Sequence, residues 1–189
     1  LGADTGFHIN RIISLMEAQQ NNVEYPYLFW NQNYNFGYPT PIFYCNLFLY
    51  WPAALLTDGM LPVLVYKKYV FGLVWIATMM IGLCSYKVSK RSGYAAILAM
   101  LLFMLNTHSI TDILRRGGLG ELLALVFIPI CLAGIYQTMY KDSRRWIWLA
   151  VGYCGLVLSH NISFILMCIV FAVFALINMK KLWREKIRI

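Results

Sequence analysis

Apolar runs dominate the last two thirds of the chain, and a mixed polar and aromatic third precedes them. The first run is "YVFGLVWIATMMIGLCSY", residues 69–86; the second is "GYAAILAMLLFMLNTH", residues 93–108; the third is "ELLALVFIPICLAGIYQTMY", residues 121–140. Runs of this length with almost no charge predict membrane-spanning helices. The stretch from Trp146 to Met179 holds 34 residues. As one helix it would reach about 51 Å, far beyond a bilayer core of about 30 Å. "SHN", Ser159 to Asn161, stands near its middle, so a hairpin of two short spans is predicted, 146–159 and 162–179.

The first third reads differently. Residues 6–20 predict an amphipathic helix lying along the membrane interface, with Ile9, Ile12, Ile13 and Met16 on its apolar face. "NNVEYPYLFWNQNYNFGYPTPIFY" follows, rich in rings that favour the membrane–water boundary. Pro26, Gly37, Pro39 and Pro41 interrupt regular structure there. Residues 41–56, "PIFYCNLFLYWPAALL", carry Pro52 and predict an interfacial or re-entrant helix. The expected organisation is an extracytoplasmic loop with juxtamembrane helices over 1–66 and a transmembrane helical domain over 67–189.

Composition agrees. The chain is 60% hydrophobic and 13% charged, whereas soluble domains carry roughly 25% charged residues. The fold class expected is all-α: a polytopic integral membrane protein with about five transmembrane helices. A net charge of +8 invites a nucleic-acid partner, but the basic residues form short clusters between apolar runs, which excludes one. These clusters are Lys87, Lys90 and Arg91; Lys141, Arg144 and Arg145; and Lys180, Lys181, Arg184, Lys186 and Arg188. Five spans put all three on one side, the cytoplasmic one, and leave only Lys67 and Lys68 as a small departure. The five cysteines are scattered and include no CxxC, which predicts buried thiols. With no initiator Met at Leu1, a fragment of a longer protein with at least one upstream span is expected.

This topology gathers the chemistry. All three histidines and six of the eight acids fall on the outer side, where a polar cavity at the membrane face would explain them. Asp4, His8 and Arg11 are spaced four and three apart, so a helix would align them. Asp4 could act as a general base or simply meet a helix dipole. His8 and Arg11 could bind a phosphate or pair with Asp4. In "HSITDILRRGGLGE", His108, Asp112, Arg115, Arg116 and Glu121 surround a glycine-rich helix start suited to an anion, or to internal ion pairs. In "LSHNIS", His160 and Asn161 sit at a membrane turn as ligand-binding or capping residues. A divalent metal on Asp4, His8, His108, Asp112 and His160 is the sharper alternative, but neither HExxH nor DxD occurs. Walker A, GxGxxG and GxSxG are absent as well, so no cofactor and no metal are expected.

Four of these stretches in order, "GADTGFHINRI", "FGYPTPIFY…LYWPAALL", "RRGGLGELLALVFIP" and "LSHNIS", resemble the bacterial membrane proteins called 6-pyruvoyl-tetrahydropterin-synthase-related. Those in turn resemble the GT-C superfamily of membrane glycosyltransferases. The resemblance implies a GT-C-like fold in a bacterial cytoplasmic (inner) membrane. It implies sugar transfer from a polyprenyl-phosphate-linked donor at the extracytoplasmic face, by an inverting displacement. Asp4 matches the position of the catalytic acid; the single Asp departs from the acidic pair many such loops carry. The partners implied are the lipid bilayer and the lipid-linked sugar donor. Two rivals stand beside this: a transporter or flippase of a lipid-linked or anionic substrate, and a non-catalytic membrane scaffold.

Overall fold

The computed structural model describes residues 2–141, 146–180 and 183. The basic positions Arg144, Arg145, Lys181, Arg184, Lys186 and Arg188 lie outside them. The described chain is all-helical, with no strand; residues 29 and 38 form one isolated bridge. Helix α1 spans Thr5–Gln20. Short helices α2 (Thr40–Phe43) and α3 (Tyr50–Thr57) follow, separated by a 3-10 turn over Leu47–Leu49. Pro62 sits in the first turn of the long helix α4, Pro62–Val88, where its missing N–H costs nothing. Lys90 and Arg91, both at positive φ, reverse the chain. Ser92 Oγ then accepts the Ala95 N–H at 3.3 Å and starts α5, Gly93–Leu105.

Asn106 ends α5 and caps the next helix, α6 (Thr107–Thr111), by accepting the His108 N–H at 3.0 Å. The two helices meet at 44°. A π turn over Asp112–Arg116 extends α6, and Gly117, at φ +72°, terminates it. Helices α7 (Leu119–Tyr140), α8 (Trp146–Val157) and α9 (Asn161–Ile177) complete the described chain.

Among the described residues, only α4 and α7 are individually long and apolar enough to cross a membrane, and the bent pair α5–α6 makes a third if counted as one span. Five full spans therefore overstate the architecture. The cause is local capping. Asn106 stops α5 after 13 residues, about 20 Å of helix. The turn at residues 158–160 ends α8, of which 12 residues are described, about 18 Å. Apolar length along the sequence counted residues that cap and turn.

Helix α7 packs against both α4 and α8, and α1 against α3 and α4. The largest core joins Ile9, Ile12 and Leu15 of α1 to Ala53 and Leu56 of α3, Val65 and Leu73 of α4, and Leu119 and Leu122 of α7. The thiols divide: Cys84 and Cys131 are buried, whereas Cys45 and Cys154 are exposed, contrary to the expectation for the set.

Candidate functional site

The start of the chain is tied to the π turn by main-chain bonds. The Ala3 N–H donates to the Arg115 carbonyl at 3.0 Å, and the Asp4 N–H to the Arg116 carbonyl at 2.7 Å. The approach is close enough to require glycine: a Cβ on Gly2 would lie 2.6 Å from the Arg116 carbonyl carbon. Gly117 adopts a left-handed conformation that disfavours side chains, and a Cβ there would meet Thr5 Oγ1. The Tyr66 hydroxyl donates to the Gly117 carbonyl at 3.2 Å from the first turns of α4. "GADT" and "RRGG" thus form one backbone unit. Asp4 stands exposed at the N-cap of α1, and its carboxylate makes no capping bond.

On the same turn, Arg116 Nη1 donates to Glu121 Oε2 at 3.0 Å and lies 3.4 Å from Asp112 Oδ1. Asp112 is 2% exposed, and Arg116 bridges it to the second carboxylate, Glu121. Gly118 is packed against the Asp112 carboxylate, since a Cβ would come within 2.6 Å of Asp112 Oδ1. A Cβ on Gly120 would lie 3.0 Å from His160 Cδ2, so the imidazole abuts the same structure. His160 Nδ1 pairs with Ser163 Oγ at 2.9 Å. Burial pushes the His160 pKa below its ordinary value, and Glu121 opposes that effect. Asn161 Nδ2 donates to the Phe43 carbonyl at 3.3 Å, which ties the α8–α9 turn to the end of α2. Between them lies a cavity of about 440 Å³ lined by Tyr38, Thr40, Tyr44, Ser159, His160 and Asn161, among others.

His8 and Arg11 turn inward. They are 5% and 3% exposed. Arg11 Nη1 approaches His8 Nδ1 at 3.3 Å, and Nη2 donates to the Cys45 carbonyl at 3.2 Å and to Asn46 Oδ1 at 2.8 Å. The guanidinium lies over the Tyr44 ring at 5.0 Å and the Phe7 ring at 5.7 Å. No carboxylate is within ion-pair distance of it among the described residues. Burial lowers the Arg11 pKa to about 10, which leaves it charged at neutral pH. Because a guanidinium only donates, His8 Nδ1 accepts and the ring carries its proton on Nε2. Burial, then Arg11, pushes His8 down to about 3. Tyr44 belongs to the cavity wall, so this buried cation fixes that wall from behind.

A pH dependence follows. His8 titrates near 6.5 unfolded and about 3 folded, so the unfolded chain binds more protons between those values and stability falls as pH drops through this window. The slope from this group is at most about 1.4 kcal/mol per pH unit. Urea melts between pH 7 and 4 should show it, and His8→Gln should flatten it. An equal slope in that variant would assign the effect to another group.

The structure therefore brings Asp4, Asp112, Arg116, Glu121 and His160 to one end of the bundle, with Asn161 at the adjoining cavity. It separates Asp4 from His8 and Arg11, which face the loop at residues 44–46. His108 and Arg115 are exposed, and neither forms an ion pair among the described residues. Sequence reasoning missed Tyr66 and Tyr44. It also missed the chain in which Gln32 donates to Ser14 Oγ, Ser14 to Asn31, and Thr40 to Gln32. The density of Tyr, Asn and Gln between residues 19 and 46 was the signal available. No group of three or more His, Cys, Asp or Glu that could hold a metal occurs among the described residues. Comparison with protein families, curated proteins and solved structures returns no match to this chain.

Proposed function

We propose that this chain acts as a membrane glycosyltransferase, moving a sugar from a polyprenyl-phosphate-linked donor to an acceptor hydroxyl at the outer membrane face. One observation carries the reading: the Asp4 segment is bonded to the Arg115–Arg116 turn, and His160, which lines a cavity, packs against Gly120 just beyond that turn at one end of apolar helices. In the step proposed, the acceptor oxygen attacks the anomeric carbon as the bond to the phosphate oxygen breaks. The phosphate leaves with the electron pair, and Asp4 takes the acceptor proton. Arg115, exposed and outside the ion pairs that hold Arg116, is the cation assigned to the phosphate. Arg116 shapes the turn through Asp112 and Glu121.

The test is transfer of a radiolabelled sugar from a polyprenyl phosphate by the full-length protein in nanodiscs. Arg115→Gln should weaken donor binding by about tenfold, the order of one charge-assisted bond. Arg115→Lys should recover part of it, since an ammonium lacks the planar fork. Donor affinity unchanged by Arg115→Gln would remove this residue from the site. Movement of the intact donor across the bilayer without transfer would replace the enzyme by a flippase.

A further inference from the structure

A second cavity, of about 470 Å³, opens where α4 meets the bent α5–α6 pair. Lys67, Val70, Phe71 and Val74 line one wall, and Phe103 and Ile113 are among the residues facing them. The α4 positions follow i, i+3, i+4 and i+7, so they form one stripe along the helix. Gly2, Thr5 and Tyr66 also line it, so the cavity borders the unit that holds the Asp4 segment, while Asp4, Arg115, Arg116 and His160 themselves are not in its wall.

Depth gives the stripe a meaning. Helix α4 has 27 residues, about 40 Å of length, some 10 Å more than a bilayer core is thick. Its uninterrupted apolar stretch begins after Lys68, which puts Lys67 at the headgroup layer and Val70, Phe71 and Val74 progressively below it. Lys67 is exposed and has no carboxylate within ion-pair distance among the described residues. Phe71 of α4 and Leu114 of the π turn, both in the cavity lining, are 75% and 70% exposed. A single hydrocarbon chain is slim enough to lie along this stripe with a charged head at Lys67.

We infer that this cavity seats one acyl chain of an anionic glycerophospholipid, with the lipid phosphate on Lys67. The cation at phosphate level selects the charge, and the apolar stripe beneath selects a chain rather than a soluble anion.

The experiment is native mass spectrometry of the full-length protein released from nanodiscs of equal parts dioleoyl phosphatidylglycerol and phosphatidylethanolamine. One phosphatidylglycerol should remain bound. Lys67→Glu should lower its occupancy at least tenfold, and Val70→Trp, which fills the seat, should do the same. Ile76→Trp, on an exposed part of α4 outside the cavity, should leave it unchanged. Lys67 is on the surface, so its substitution tests binding rather than folding. Occupancy unaffected by Lys67→Glu and Val70→Trp, or equal retention of phosphatidylethanolamine, would overturn the inference. So would displacement of the bound lipid by equimolar polyprenyl phosphate, which would give the seat to the donor.

Discussion

Asn at position 4 is expected to slow sugar transfer by roughly 10² to 10⁴, the usual weight of a general base. The amide keeps the size and hydrogen-bonding capacity of the carboxylate but cannot accept the acceptor's proton. The fold should not change, because the carboxylate is exposed and caps nothing, and the segment is held by its backbone. Donor affinity should change little, since proton transfer is made in the transition state. Turnover and donor binding measured on wild type and Asp4→Asn separate the two effects. Equal turnover would mean that Asp4 only balances Arg116. A loss confined to donor affinity would point to the same conclusion.

The second large effect concerns the contact between α7 and α8. A Cβ on Gly134 would lie 2.5 Å from Leu149 N and 2.7 Å from Leu149 Cα; one on Gly152 would lie 2.7 Å from Cys131 N. On Gly155 it would enter the Phe127 ring. These helices therefore touch backbone to backbone, as small residues permit in membranes. Gly134→Leu leaves no rotamer that fits, and the helices must part. The expected cost is about 3 kcal/mol, at or beyond the upper end for overpacking. Because α8 leads into the turn that holds His160 against Gly120, transfer should fall as well. Thermal unfolding in one detergent, followed by circular dichroism, gives the comparison. Gly6→Ala is the control: nothing lies within 4 Å of a Cβ there, so it should be neutral or gain about 0.5–1 kcal/mol of helix propensity. Equal melting of Gly134→Leu and Gly6→Ala would show that α7 and α8 do not pack this closely.

The all-helical class is legible from apolar runs because their composition alone dictates it. Span count is not, because Asn106 and the turn around His160 act through caps and hydrogen bonds that hydropathy does not register. The site splits along the same line. Asp112, Arg116 and Glu121 lie within ten positions of one another, so spacing on a helix start brings them into view. The burial of His8 and Arg11 is invisible locally. The partners that hold Arg11 inside, Cys45 and Asn46, are 34 and 35 positions away, and a His and Arg on an amphipathic helix ordinarily read as its wet face. Gly134, Gly152 and Gly155 look ordinary in sequence for a similar reason. What forbids a side chain at each is a second helix, and only the folded chain supplies it.

The bonds that hold residues 3 and 4 to the π turn run from main chain to main chain. Their strength does not depend on which side chains those residues carry, so position 4 is fixed as a place and free as a chemistry. Mutation can try a longer acid, an amide or a hydroxyl at that point without first rebuilding what carries it. Gly2 and Gly117, where a side chain would collide with the docked segment or its turn, have no such freedom. Shape therefore restricts Gly2 and Gly117, whereas at position 4 the backbone bonds leave the side chain open to exchange.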